Sequence, residues 1–235
     1  MRFSQPLVPG ILNRRYQRFL VDCTLADGQK ITGHCANTGA MTGLNIPGQS
    51  VLLSRHEHTT RKYPLSLELV ADHGAWVGVN TAMANRVVAE GLEQGVIAPL
   101  QSWESWRREV PFHEKSRLDF LLTAPEKKGC FVEVKSVTLR SGCAARFPDA
   151  VTARGTRHLH ALMMAMDQGY EAMILYLVQR GDCTHFSPAA DIDPDYAEAL
   201  RCALARGVRA LAVYCQVTPA EITIAGTLPM EFSDS

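Results

Sequence analysis

The spacing of apolar residues changes character near Asn80. Before it, short runs alternate apolar and polar positions, the mark of half-buried strands. The segment YQRFLVDCTLADGQKITGHC holds two such runs joined by Asp27-Gly28, a dipeptide suited to the left-handed backbone of a tight hairpin. Ser50 to Ser54, Ser66 to Ala71 and Trp76 to Asn80 read as further strands between turns rich in Gly, Pro and His. About five short strands within residues 1–80 predict a small OB-like β-barrel. From Thr81 onward helical spacing takes over. TAMANRVVAEGLEQG predicts a helix with Thr81 as its N-cap and Gly95 as its stop. A hairpin over Arg117 to Ser136 follows, then an irregular stretch to Val151. The helix GTRHLHALMMAMDQG, the strand EAMILYLV, the helix DPDYAEALRCALARG and the strand VRALAVYCQV complete the chain's order. That order predicts a second domain over residues 81–235, with helices on the faces of a mixed sheet.

The hairpin carries charge where apolar residues are expected. If its pairing is symmetric about Glu126, Asp119 lies opposite Glu133, with Cβ atoms roughly 5 Å apart on one face of the sheet. Lys135, two residues further on, shares that face. Leu118, Phe120, Leu122, Val132 and Val134 form the other, suited to cover by helices. Facing carboxylates repel, and neither burial nor hairpin propensity explains them. The pattern calls for a cation between them.

Composition narrows the setting. With 235 residues, 46% hydrophobic and 20% charged, the chain has the make-up of an ordered soluble protein. No apolar run reaches the length of a membrane helix, and MRFSQPLVPG lacks a signal-peptide core, so a cytoplasmic location without membrane attachment is expected. Seven cysteines without a CxxC pair fit reduced, mostly buried thiols rather than a disulfide frame or structural zinc. Lys and Arg together number 24, as do Asp and Glu, so net charge does not attract polyanions. The division is uneven: residues 1–80 hold 8 basic and 5 acidic side chains, the remainder 16 and 19.

Asp119 followed by Glu133-x-Lys135 on a hydrophobic strand, after a helix bearing a glutamate, resembles the core of the PD-(D/E)xK nuclease superfamily. Leu118 stands where that name places proline. Six ordered blocks, HCANTGAMTG, RKYP, VNTAMANR, SRLDF, FVEVKSVTL and FPDAVTARGTRHL, are similar to the signature blocks of the sugar fermentation stimulation protein family. That resemblance implies an OB-like domain, a nuclease-like domain and non-specific DNA binding. Its name implies a link to regulation of sugar, especially maltose, metabolism. Nuclease activity is an inference from the fold.

Phosphodiester cleavage needs charge neutralised on a phosphate and a water activated beside it. Mg2+ or Mn2+, held by one or two carboxylates, meets both needs. Asp119 and Glu133 would supply the carboxylates and Lys135 would orient the water or stabilise developing charge, which makes these three the candidate catalytic residues. The competing reading is a structural salt bridge between Lys135 and one of the acids. Glu90 is the best further metal ligand, with Glu93 as its rival. Arg154 and His158, beside a helix amino terminus that favours phosphate, are candidate DNA contacts; a hydrogen-bonded His158 on a mixed helix face is the alternative.

In the first domain, Arg14, Arg15, Arg18, Arg61 and Lys62 interleave with Tyr16, Phe19 and Tyr63. Basic groups follow phosphates and aromatic faces stack on bases; alternatively, Tyr16 and Phe19 fill the barrel core. Ala36 to Gly43 is expected to form a turn that shapes a loop over the site. Two functions remain, a DNA-binding protein with a metal-dependent nuclease site and a non-catalytic DNA-binding regulator built on the same scaffold. An unrelated Ser or Cys hydrolase is disfavoured by the absence of a GxSxG motif, and no helix-turn-helix signals promoter recognition. A homo-oligomeric state is left open.

Overall fold

The computed structural model describes residues 1–56, 62–112 and 116–232. The first domain contains β1 (Val8–Tyr16), β2 (Leu20–Leu25), β3 (Lys30–His34), β4 (Ser50–Arg55), β5 (Leu65–Asp72) and β6 (Ala75–Gly78). Their order is β3-β2-β1-β4-β5-β6, and His34 of β3 also pairs with Ser66 of β5. That pairing closes five strands into the expected barrel, with β6 as an extension. Leu12, Val21, Cys23, Val51, Leu53 and Leu67 fill its interior. β1 begins well before the predicted run. Its early residues include Pro9 and Gly10, which read as breakers. In the barrel Gly10 is required by close approach, because a Cβ there would lie 3.2 Å from the Thr24 carbonyl oxygen. Tyr16 and Phe19 stay out of the barrel core: Tyr16 bonds Asp22 through its hydroxyl, and Phe19 is 46% exposed and stacks on His34.

A short 3-10 turn over Thr81–Met83 leads into helix α1 (Ala84–Glu93). Asn80 caps the turn by accepting the Ala82 N–H, while the expected cap, Thr81, spends both its N–H and its hydroxyl on the Ala36 carbonyl. Then come β7 (Ser105–Phe112), β8 (Ser116–Thr123), β9 (Cys130–Val137), β10 (Leu139–Ser141), β11 (Ala144–Phe147), α2 (Ala153–Asp167), β12 (Glu171–Val178), β13 (His185–Pro188), α3 (Pro194–Ala205), β14 (Arg209–Val217) and β15 (Ile222–Leu228). The main sheet runs β15-β14-β12-β9-β8-β7, with β9, β12 and β14 parallel and the remaining neighbours antiparallel. One face packs against α1 through Val87 and Val88, the other against α2 and α3 through Leu159, Leu162 and Leu200. β10, β11 and β13 form a separate small sheet, whose first two strands lie within the stretch that reads as irregular.

A buried arginine ties the domains together. Arg180, 1% exposed, gives Nη2 to Asp72 in the barrel at 2.7 Å, Nε to Asp182 at 2.6 Å and Nη1 to the Thr138 carbonyl at 3.0 Å. Every one of these partners is charged or a backbone acceptor, so the guanidinium is buried without being left unpaired. All seven cysteines are free thiols. No helix among the described residues is long and apolar enough to cross a membrane.

Candidate active site

The β8–β9 hairpin has the register its charges require. Phe120 pairs with Val132, Leu121 with Phe131 and Leu122 with Cys130, which continues to Asp119 opposite Glu133. The ladder stops before that pair. Instead, Asp119 Oδ2 accepts the Val134 N–H at 2.8 Å, so a side chain takes the hydrogen bond a strand would have made. The break corrects one expectation. Leu118 packs with Leu121 and Phe131 in the core under α2, whereas Phe120, Leu122, Val132 and Val134 face α1. Strand alternation therefore fails at Asp119. Glu109, opposite it on β7, has a left-handed backbone with φ of 51°, a second sign of the local kink.

Glu133 and Lys135 point toward α2. Lys135 Nζ donates to Glu133 Oε1 at 2.7 Å and lies 3.0 Å from His158 Nδ1, which itself contacts Glu133 Oε1. Arg154 Nε approaches His158 Nε2 at 3.4 Å. A proton on Nδ1 satisfies both ends of the ring, donating to Glu133 and accepting from Arg154. The other Glu133 oxygen, Oε2, is buried without a hydrogen-bond partner. Three buried side-chain polar atoms among the described residues lack partners, and this is the anionic one.

Electrostatics separate the two acids. Burial first, and the Glu133 charge second, push the Asp119 carboxyl up to about 6, against the N–H of Val134, the Asn85 amide and Lys135. For Glu133 burial also acts upward, but Lys135 and His158 outweigh it and hold the carboxyl below its usual value. Glu133 is thus held as an anion while Asp119 is pushed toward titration closer to neutral pH, a division typical of sites that handle charge.

The residue α1 contributes is Asn85, whose Nδ2 donates to Asp119 Oδ1 at 2.7 Å. Glu90, expected as a metal ligand, faces elsewhere: its Oε1 accepts the Met1 amino group at 2.8 Å and the Gln94 amide at 3.3 Å. Its rival Glu93 lines a different hollow beside Trp103 and Trp106. Among the described residues no three His, Cys, Asp or Glu side chains gather as a metal cage. Two carboxylates remain, Asp119 and Glu133, and of their four oxygens Glu133 Oε2 is the one without a hydrogen-bond partner. Hard oxygens of this kind are what Mg2+ supplements with water and phosphate.

Lys135 forms part of the lining of a cleft of about 250 Å3. Asn37, Thr38 and Gly39, from the loop after β3, make one wall; Phe147 to Thr152 make the other. Part of the loop expected over the site, residues 37–39, thus borders a cleft that Lys135 lines and that Asp119 and Glu133 do not. Thr152 caps α2 by accepting the Gly155 N–H, and Asp149 accepts the Met41 N–H at 3.0 Å.

The predicted basic residues divide. Arg14 lies over Tyr16 and pairs with Asp22 at 2.7 Å. Arg18 is exposed on the β1–β2 turn, and Lys62 is exposed with Nζ 5.4 Å from the Tyr63 ring centre. Arg61 lies outside the described residues. Arg15 is no free surface charge: it donates to the carbonyls of Arg18, Asn37, Gly39 and Ala40.

Residues 82–221 match the family described as "Sugar fermentation stimulation protein RE domain", and residues 14–79 match "SfsA N-terminal OB domain". A sugar fermentation stimulation protein homolog of Magnetococcus marinus is 51% identical over 95% of this chain and 96% of its own. That of Geobacter metallireducens is 49% identical over 98% and 99%. Among solved structures, Pyrococcus furiosus SfsA in complex with Ca2+ superimposes with a TM-score of 0.89 at 29% identity, covering 98% of each chain. The chain belongs to the sugar fermentation stimulation protein family.

Proposed function

We propose that this family member binds nucleic acid without sequence preference and cleaves phosphodiester bonds at Asp119, Glu133 and Lys135 with Mg2+ or Mn2+. One observation carries the reading: Glu133 Oε2 is buried, charged and without a partner, beside a second carboxylate. A buried carboxylate oxygen with no hydrogen-bond partner carries a desolvation cost even when Lys135 balances the charge at its other oxygen, and a divalent cation would offset that cost. The donor set fits such an ion, and a relative of this chain was solved with Ca2+. When bound, the ion would neutralise phosphate charge and lower the pKa of a water.

The chain's own residues divide the remaining work. Asn85 and the Val134 N–H orient Asp119. His158 and Lys135 occupy Glu133 Oε1, which leaves Oε2 as the oxygen directed to the ion. Lys135 lines the cleft, and its ammonium would stabilise negative charge on the phosphate or position the attacking water. Exposed Arg18 and Lys62, with Phe19, give the barrel a surface for the sugar-phosphate backbone and for bases.

The second reading, a regulator that binds DNA without cutting, draws on the Lys135–Glu133 salt bridge, which a purely structural network would also contain. Cleavage of labelled DNA with Mg2+ or Mn2+, run beside Lys135→Ala, separates the two. Metal-dependent cutting that the variant loses supports the nuclease. Binding without cutting under every metal tested supports the regulator.

A further inference from the structure

The cleft above Lys135 restricts what can reach the site, because its walls belong to different domains and are fastened together. Thr81 holds the Ala36 carbonyl through two hydrogen bonds, and Asn37 Nδ2 holds the Val79 carbonyl at 3.0 Å. Arg15 grips the carbonyls of Asn37, Gly39 and Ala40. Across the gap Asp149 accepts the Met41 N–H, and Gly39 lies so close that a Cβ there would stand 2.5 Å from both Asp149 carboxylate oxygens. A wall fixed this way does not swing aside for a wide ligand.

The two walls differ in chemistry. Phe147, Pro148, Ala150 and the 75% exposed Val151 give one side its apolar surface, while the Asp149 carboxylate on the same side is turned to the Met41 N–H and Gly39. The exposed Thr38 lines the opposite side, and Lys135, paired with Glu133, also lines the cleft. An apolar face, a hydrogen-bonding edge and a cation match the three parts of a nucleotide: the base plane, the base edge and the phosphate. A volume of about 250 Å3 limits the cleft to at most one such unit. Drug-sized ligands occupy pockets of roughly 300–1,000 Å3.

We propose that this cleft holds one unpaired nucleotide next to the bond to be cut, so the substrate is a single strand or a single-stranded end rather than the interior of a duplex. The proposal rests on the nuclease reading for its purpose. Its test does not rest on that reading.

Fluorescence anisotropy with labelled DNA in Ca2+ measures affinity for a single strand, a blunt duplex of the same sequence, and the duplex with a single-stranded overhang. The unmodified protein is expected to bind the single strand and the overhang about tenfold more tightly than the blunt duplex, near the lower end of what stacking one base contributes. Val151→Asp, at an exposed position, is expected to erase most of that preference while duplex affinity stays within about twofold, since non-specific backbone contacts supply it. Equal affinity for the three DNAs overturns the proposal, as does a variant that weakens all three alike or none. Cleavage of the same DNAs in Mn2+ is scored separately. Internal cutting of the blunt duplex as fast as the single strand also overturns it. Failure to cut any of them ends the nuclease reading, and the affinity ratio still decides this one.

Discussion

Two glutamates, one in each domain, are buried almost equally: Glu68 is 3% exposed and Glu133 is 2% exposed. Their surroundings differ. Glu68 Oε1 accepts Ser54 Oγ at 2.7 Å, and Asn80 Nδ2 reaches both Glu68 oxygens, at 3.1 and 2.9 Å. Burial pushes its carboxyl up and those neutral donors only partly oppose the shift. Glu133 has a lysine and a histidine crowded on one oxygen and nothing on the other. Glu68 has both oxygens answered from within the chain, whereas Glu133 keeps one in reserve.

The sharpest way to break that contrast is Glu133→Gln, which keeps volume and removes charge. Metal-dependent cleavage rates should fall by about 100-fold or more, the scale on which lost transition-state stabilisation registers. Circular dichroism should stay unchanged. A variant that cuts as well as the parent would make Glu133 as structural as Glu68. Asn85→Ala should weaken Mn2+ binding, followed by calorimetry, by about tenfold, since it frees Asp119 to turn. Glu90→Ala should leave that binding unaltered, because Glu90 faces Met1.

Glu68→Ala tests the other side. It strands the Ser54 hydroxyl and the Asn80 amide, at a cost of about 1–3 kcal/mol. For a chain of this size that lowers the melting temperature by roughly 2–4 °C per kcal/mol. Mn2+ affinity should not move. The smallest effect concerns pH. Asp119 titrates at about 6 when folded against an ordinary 3.8, so between those values the folded chain binds more proton than the unfolded one. Its contribution to stability therefore falls as pH rises from about 4 to about 6, and the penalty is complete above. A cation competes with that proton. The rise in melting temperature on adding Mn2+ should thus be larger at pH 7.5 than at pH 5, and equal rises would remove Asp119 from the proposed ligands.

Local pattern carried some of these features and tertiary contact decided others. Alternation across Arg117 to Ser136 sufficed for the register that runs toward Asp119 and Glu133, because a strand pair has one register that buries its apolar face. It did not suffice for the break at Asp119, whose side chain meets Asn85 on α1 while Glu133 meets His158 on α2. EAMILYLV needed only its apolar length to read as β12. β7 escaped notice because SWRREVPF lies at the sheet edge, where the exposed Arg107, Arg108 and Glu109 interrupt the alternation of Trp106, Val110 and Phe112. The β1–β2 turn gives no Gly signal either, since Gln17 and Arg18 adopt positive φ themselves. Asn85 carries no charge to draw attention, and its role depends on how α1 settles over the sheet. Glu90 had the expected chemistry on the same helix but a side chain directed elsewhere.

Arg15 complicates any survey that neutralises surface cations one at a time. Removing its guanidinium would release three loop carbonyls and let a boundary of the cleft drift. Lost affinity would then report a misshapen groove, although by sequence neighbourhood the residue passes for one more hand on the phosphates. Only a salt titration, blind to shape and sensitive to ion release, would tell the hinge pin from the handhold.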